Sequence, residues 1–450
     1  MREPSPVDEF LAVAARAPDR PALVHDGQSI TYGELRARAR AVAAALGDRP
    51  GIVGVPATRT PDTIATLLGV WLAGGAYCPL DPAFPAERLA AMRAVCDRVP
   101  DGPVPAYVLF TSGSTGAPKP VATPVRAIAT VTAALRDLFG ITSADRVLQF
   151  ASLNWDTCFE EILPALTSGA TLVLDADAHT GSFARFLRVV EREQVTVLDL
   201  PTAFWHELVH HLTEGAEDLP ACVRLVITGG EAVRPERLAD WLVLGTEARL
   251  LNTYGCTETT LITHACELAM PYERVPIGYP LPHVVEYVDD GELLIGGPAL
   301  AIGYLGLPDK TGERFTERAG TRVFRTGDRV SRRPDGMLVH EGRLDGEVKI
   351  RGIRVDPAEV EAHLVRHPDV VEAAVAGVRT ANHTSLAAYV VVRDGDVEPA
   401  SILTELRTRV PGHLVPSRLT VVPELVRTAS GKVDRAGTHA AGSLVMEGKR

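Results

Sequence analysis

The chain has 450 residues, with Lys+Arg 46 against Asp+Glu 57 and a formal charge of −11. That acidic balance argues against nucleic acid as the main partner, while 46% hydrophobic and 23% charged residues exclude disordered and fibrous classes. A chain this long should hold at least two domains.

Residues 32–47 read as an amphipathic helix with a glycine stop, and 61–73 as a helix opened by Pro61. Val104 to Phe110 is a short apolar strand that runs into a loop of Thr, Ser and Gly. Further strands are predicted at 145–150, 171–174, 195–200, 223–227 and 249–251, with helices at 182–193 and 235–243 between them. This alternation predicts a mostly parallel α/β sheet. From about residue 280 the texture changes. Residues 284–341 read as short strands with turns at Asp290-Gly291, Pro308-Asp309 and Pro334-Asp335-Gly336, a β-rich subdomain. An α+β pattern follows: strand 347–351, helix 357–366, strands 371–377 and 386–392, helix 400–409 and a basic turn at 427–435. The boundary is placed at Asp345, giving domains 1–344 and 345–450.

Cys78, Cys96, Cys158, Cys222, Cys256 and Cys266 form no C-x-x-C pair and fit no zinc spacing, as expected of free thiols in a cytoplasmic protein. The N-terminal ten residues carry no apolar signal segment. The most apolar stretch, Ile64 to Tyr77, is broken by glycines and too short to span a bilayer, so no membrane is expected.

Four segments carry chemistry. In Tyr107 to Lys119, a strand delivers four hydroxyls (Thr111, Ser112, Ser114, Thr115), two glycines (Gly113, Gly116) and Lys119. Glycines let backbone N–H groups approach an anion, and the lysine adds charge. This is a phosphate cradle but not a Walker A loop, because Lys119 precedes Pro120. A plain surface loop shares the composition. Asn252 to Thr260 offers an aromatic face in Tyr254, a hydroxyl in Thr257 and a carboxylate in Glu258 suited to Mg²⁺ against phosphate. Thr326-Gly327-Asp328 sets a carboxylate after a strand, where it can accept from ribose hydroxyls. Ser430 to Arg435 sets Lys432 in a loop.

In this order the segments resemble the adenylate-forming (ANL) superfamily, most closely the adenylation domains of nonribosomal peptide synthetases. Ile30 to Leu35 and Trp71 to Asp81 are similar to the first two core motifs, and 107–119 to the third. Asn154 to Glu161, Asn252 to Thr260, Gly291 to Gly297, Phe324 to Asp328, Gly342 to Gly352 and Arg427 to Arg435 resemble later ones. The resemblance implies a large α/β N-terminal domain of two mixed or parallel sheet subdomains and a β-rich subdomain, followed by a small mobile α+β C-terminal domain.

It also implies the reaction. A carboxylate attacks the α-phosphorus of ATP, with Mg²⁺ as cofactor, and a thiol then displaces AMP. Thr111, Ser112, Gly113, Ser114, Thr115, Gly116 and Lys119 would cradle the phosphates. Gly230, Glu231, Ala232, Asn252, Thr253, Tyr254 and Gly255 would surround adenine. Thr257 would touch the α-phosphate, Glu258 would ligate Mg²⁺, Asp328 and Arg343 would hold the ribose, and Lys432 would bridge carboxylate and phosphate. Asp345 would be the hinge. The chain departs from the pattern at Lys119-Pro120 and is several tens of residues short between Asp81 and Tyr107. It ends at Arg450 with no carrier segment, so a freestanding enzyme loading a separate phosphopantetheine carrier protein is expected; need of a helper protein stays open.

The family's substrate pocket falls on Asp156, Thr157, Glu160, Asp199, Ile227, Gly229, Thr253, Leu261 and Ile262, closed by Lys432. Asp156 matches the aspartate that binds the substrate ammonium. Two further carboxylates in one small pocket are costly without a cation. The expected substrate is therefore a basic diamino acid such as lysine, ornithine or 2,3-diaminopropionate. The set most resembles β-lysine-activating domains of antibiotic pathways, with Gly229 leaving room for a long chain. The alternative is an acyl-CoA ligase using coenzyme A, against which Asp156 speaks.

Overall fold

A computed structural model of the chain describes residues 4–98, 104–113, 118–215, 217–350, 352–379, 384–393, 397–427 and 433–447. It divides into two compact units. The first comprises Met1–Asp81, Val95–Phe110 and Pro120–Leu344; the second comprises Pro82–Ala94, Thr111–Lys119 and Asp345–Arg450. The second unit thus takes in two short segments from before the Asp345 boundary.

The first unit is built on a nine-stranded sheet among the described residues. Its order is Tyr279–Pro280, Ile262–Glu267, Arg249–Gly255, Leu225–Gly229, Val197–Pro201, Arg146–Leu148, Thr171–Leu174, Pro21–His25 and Gln28–Thr31. The central strands are parallel, and Gln28–Thr31, Ile262–Glu267 and Tyr279–Pro280 add antiparallel edges. Parallel strands are covered on both faces, and these sort their side chains by parity. Val197, Leu225, Ile227 and Leu251 enter one core, shared with Cys158–Ser168; Leu198, Leu200, Val226 and Leu250 enter a second core with Trp205 and Trp241.

A second sheet runs Gly303–Tyr304, Lys119–Thr123, Tyr107–Thr111, Ala76–Leu80 and Ile52–Pro56. It shares the first core through Val55, Tyr77 and Tyr107. Helix Pro61–Leu72 packs there too, its N-cap Thr60 accepting from Thr63 N–H. Helix Tyr32–Leu46 starts at a Thr31–Glu34 capping box and stops at Gly47. The β-rich part is antiparallel: Val285–Asp289, Glu292–Gly296, Thr321–Arg332 and Phe315–Arg318, with Leu338–Arg343 also paired to Thr321–Arg332.

The second unit holds a three-stranded sheet of Val370–Arg379, Thr384–Val392 and Arg418–Val421. Helices Pro357–Leu364 and Pro399–Arg407 cover it with Val360, Leu364, Ile402 and Leu406. A hairpin, Val348–Ile350 with Ile353–Val355, precedes them.

Two local readings change. Pro308-Asp309, expected as a turn, opens helix Pro308–Arg314, because proline at the first helical position needs no N–H partner. The short stretch after Asp81, read only as a deletion, carries helix Ala86–Cys96. No helix among the described residues is long and apolar enough to cross a membrane.

Candidate functional site

The nine-stranded sheet reverses its winding beside Arg146–Leu148. From that strand the chain crosses to Thr171–Leu174 on one side, while Val197–Pro201 lies on the other and leads away through Leu225–Gly229. Open α/β sheets bind ligands at the carboxyl ends of strands at such a switch point. The loop after Arg146–Leu148 carries Asp156, Thr157 and Glu160, and Asp199 lies in Val197–Pro201.

Asp156 is 8% exposed and Glu160 6% exposed. Asp199 is half-buried as a residue, yet its Oδ2 is covered and has no hydrogen-bond partner among the described residues. The carboxyls of Glu160 and Asp199 lie close enough that each acts on the other's titration. Burial pushes Asp199 up to about 7; burial, then the nearby Asp199 and Asp156, pushes Glu160 well above the ordinary carboxylate range. Burial raises Asp156 to about 6, offset in part by the Leu261 N–H at 3.4 Å from Oδ2. Ile227, Leu261 and Ile262 are all buried beside this group. Ile227 lies in register with Asp199, and Thr253 with Gly229.

Gly229 has a packing reason of its own: a Cβ there would lie 2.4 Å from Thr253 Oγ1. Gly255 is held more tightly, because its Cβ would come within 1.8 Å of the Leu261 carbonyl. That close approach follows from Thr260 and Leu261, both with positive φ, at 60° and 63°. Such backbone is strained for non-glycine residues, above all for a β-branched one. Here it aims the Leu261 N–H at Asp156.

The residues of the first unit expected to hold nucleotide gather on neighbouring strands. Tyr254 donates to Asp328 Oδ2 at 2.6 Å, and Arg343 Nη1 reaches Asp328 Oδ1 at 2.9 Å. His340 Nε2 lies 3.0 Å from the same oxygen. The register pairs Asp328 with Arg343 across the two strands. Asn252 donates through Nδ2 to the Pro276 carbonyl at 2.7 Å, while its buried Oδ1 has no partner among the described residues. An unsatisfied buried carbonyl suits an exocyclic amine such as that of adenine. Gly230, Glu231 and Ala232 form the turn after Leu225–Gly229, where Thr202 donates to the carbonyls of Gly229 and Glu231 at 2.9 and 3.2 Å. Thr257 and Glu258 form a short 3-10 turn. Glu258 is fully buried, and its Oε1 accepts from Tyr304 at 2.7 Å. One carboxylate beside phosphate oxygens is how Mg²⁺ is usually held, and no cluster of three metal-ligating side chains occurs among the described residues.

The rest falls in the second unit. Thr111 is buried with its hydroxyl unpartnered among the described residues. Ser112, Gly113 and Lys119 are described; Ser114, Thr115 and Gly116 lie outside the described residues, as does Lys432. The ends of the Lys432 loop are anchored: Arg427 pairs with Glu372, and Arg435 reaches both oxygens of Glu361 at 2.6 Å. Asp345 is exposed and precedes Gly346 at φ 75°.

Several supporting residues escaped the sequence reading. Glu161 accepts from the N–H groups of Phe150 and Ala151 at 2.9 and 2.8 Å, and from Gln149 at 2.9 Å, so it shapes the loop that carries Asp156. Its place in a matched motif was the only signal. Tyr304 and His340 act through Glu258 and Asp328 and left no local signal.

A family model described as AMP-binding enzyme matches residues 10–99 and 96–305, and one described as AMP-binding enzyme C-terminal domain matches 359–432. An isonitrile lipopeptide synthase of Streptomyces coeruleorubidus is 40% identical over 491 aligned residues, covering 96% of this chain. A dimodular nonribosomal peptide synthase of Bacillus subtilis is 34% identical over 96% of this chain. The chain spans 33% of the first relative's length and 21% of the second's. Among solved structures, the fused adenylation–PCP di-domain NpsA-ThdA of Klebsiella oxytoca superposes with a TM-score of 0.82 at 27% identity, over 93% of this chain and 94% of that one.

Proposed function

The chain belongs to the AMP-binding enzyme family, as an adenylation domain of the nonribosomal peptide synthetase type, and on that premise we propose that it activates a basic diamino acid, best matched by β-lysine, with ATP. The product would be the aminoacyl-AMP, passed to the phosphopantetheine thiol of a carrier protein in the assembly of a peptide antibiotic. The proposal sets this reaction in the cytoplasm.

One observation carries the substrate class. Beyond Asp156, the expected pocket residues include a second acidic group, the neighbouring carboxyls of Glu160 and Asp199. Burial and the neighbouring carboxyls shift both members of the pair, and no ion pair to either occurs among the described residues. A distal ammonium on the substrate would supply the missing charge. Ile227, Leu261 and Ile262 would pack the methylenes between the two ends.

The chemistry is mainly positioning and charge neutralisation. An oxygen of the substrate carboxylate attacks the α-phosphorus. The bond from that phosphorus to the bridging oxygen breaks, and pyrophosphate leaves. The carrier thiolate then attacks the acyl carbon and AMP leaves. Tyr254 and Asn252 would bind adenine, Asp328 and Arg343 the ribose, and Thr257 the α-phosphate. Thr111 to Gly116 and Lys119 would hold the leaving phosphates. Glu258 would hold Mg²⁺, which when bound neutralises phosphate charge. Lys432 would lie between the two anions that must meet, lowering their repulsion. Residues 1–344 would form the binding core, and 345–450 a mobile domain turning about Asp345.

The test is amino-acid-dependent pyrophosphate exchange over β-lysine, lysine, ornithine, 2,3-diaminopropionate and arginine, with leucine and glutamate as controls. Diamino acids are expected to drive exchange. Preference for leucine, or no exchange with any acid, would overturn the reading.

A further inference from the structure

Glu359 is a fully buried carboxylate in helix Pro357–Leu364, and its partners are unusual. Its Oε1 accepts from Arg88 Nη1 at 2.9 Å, and its Oε2 accepts the backbone N–H of Gly113 at 3.1 Å. Arg88 is itself 7% exposed. The neighbouring hydroxyl is also engaged: Ser112 Oγ donates to the Arg354 carbonyl at 2.9 Å and accepts from the Asp356 N–H at 3.1 Å. All of these residues belong to the second unit. Ser112 and Gly113 open the loop whose composition suits an anion, and the anion at the Gly113 amide is the protein's own.

We propose that Glu359 is an internal stand-in for phosphate: latched by Arg88, it occupies the Gly113 amide and competes with pyrophosphate for it. The inference rests on reading Thr111 to Lys119 as the phosphate loop. One backbone N–H cannot serve two anions at full strength, and two anions held side by side repel. Phosphate binding must therefore displace Glu359, and the loss of pyrophosphate lets it return. By linkage, whatever strengthens the latch weakens pyrophosphate binding by the same factor. The carboxylate keeps its countercharge because Arg88 comes from helix Ala86–Cys96, in the stretch where this chain is shorter than the family pattern. The device would act alike on incoming ATP and on returning pyrophosphate, since both must displace Glu359 from Gly113.

The test uses the full chain, free of nucleotide, with inorganic pyrophosphate and Mg²⁺ as the probe. In hydrogen exchange of the unaltered protein, pyrophosphate should protect 107–113 and deprotect 357–364. Protection of the loop with no change at 357–364 would overturn the latch. In calorimetry, the double variant Arg88→Met with Glu359→Gln should bind pyrophosphate about tenfold more tightly. Unchanged or weaker binding by a variant that still melts cooperatively would also overturn it. Should the unaltered protein bind too weakly to measure, the double variant must bind measurably, and failure of both counts against the latch. Should the double variant not fold, hydrogen exchange on the unaltered chain decides. These readouts need no amino acid. Absent exchange with every acid would refute the proposed reaction, whereas a failed displacement refutes only the latch.

Discussion

Glu160, in the first turn of helix Cys158–Ser168, and Asp199, in strand Val197–Pro201, are neighbouring carboxyls that act on one another's titration. Two buried carboxyls this near one another disfavour full ionisation of both. The empty pair therefore carries less than its full charge near neutral pH, and an arriving ammonium replaces a bound proton.

Glu160→Gln and Asp199→Asn should each raise the KM of a diamino acid by about 30-fold to 5,000-fold, the range for breaking one side of a buried charge pair. The KM of ATP should stay within about twofold, since neither side chain belongs to the nucleotide residues. Initial rates of pyrophosphate exchange under varied amino acid, then varied ATP, check both.

The pair also makes recognition depend on pH. Asp156 and Asp199 sit at about 6 and about 7, above the ordinary carboxylate range, so the folded, empty protein holds protons that the unfolded chain releases. Their contribution to stability is fully present below the ordinary carboxylate range and is lost as pH rises through 6 to 7. Binding a diamino acid reverses the trend by stabilising the ionised forms. Its apparent affinity should rise about tenfold per pH unit for each proton released. Melting curves from pH 5 to 8, with and without lysine, should show the ligand-induced increase in Tm growing with pH.

Tyr304 fixes the Glu258 carboxylate through a 2.7 Å hydrogen bond. Tyr304→Phe keeps the ring and removes that hydrogen bond. It should raise the Mg²⁺ concentration needed for half-maximal exchange about 10-fold to 150-fold, the cost of losing a hydrogen bond to a charged group. The amino acid KM should not move. A shift in both would make Tyr304 a general packing residue instead.

Lys432→Ala should abolish adenylate formation while the Tm stays within about 2 °C, as for a side chain that serves the reaction and not the core. Full exchange activity in that variant would remove the lysine from the proposed transition state.

What was legible in the sequence was what is local. Thr31 and Glu34 cap a helix three residues apart, Gly47 stops it, and alternation along Val197 to Pro201 marks a buried strand. Parity also places Asp199 without reference to any relative: Leu198 and Leu200 enter one core, and Val197, two residues before Asp199, enters the other. Contacts between distant segments were not legible. Arg88 and Glu359 lie 271 residues apart, Tyr304 and Glu258 46 apart, and nothing in either local sequence announces the partner. The positive φ at Thr260 and Leu261 was equally hidden, because strain of this kind is imposed by packing against residue type.

The central claim is recognition of a second positive charge. The most direct measurement is the ratio of kcat/KM in pyrophosphate exchange for lysine over norleucine, which has the same carbon chain without the distal amine, with β-lysine assayed alongside. A site built around buried polar groups rejects the analogue that leaves them unpaired by about 10⁴-fold. The account predicts a ratio of that order, with β-lysine at least as good as lysine. A ratio near one would contradict it.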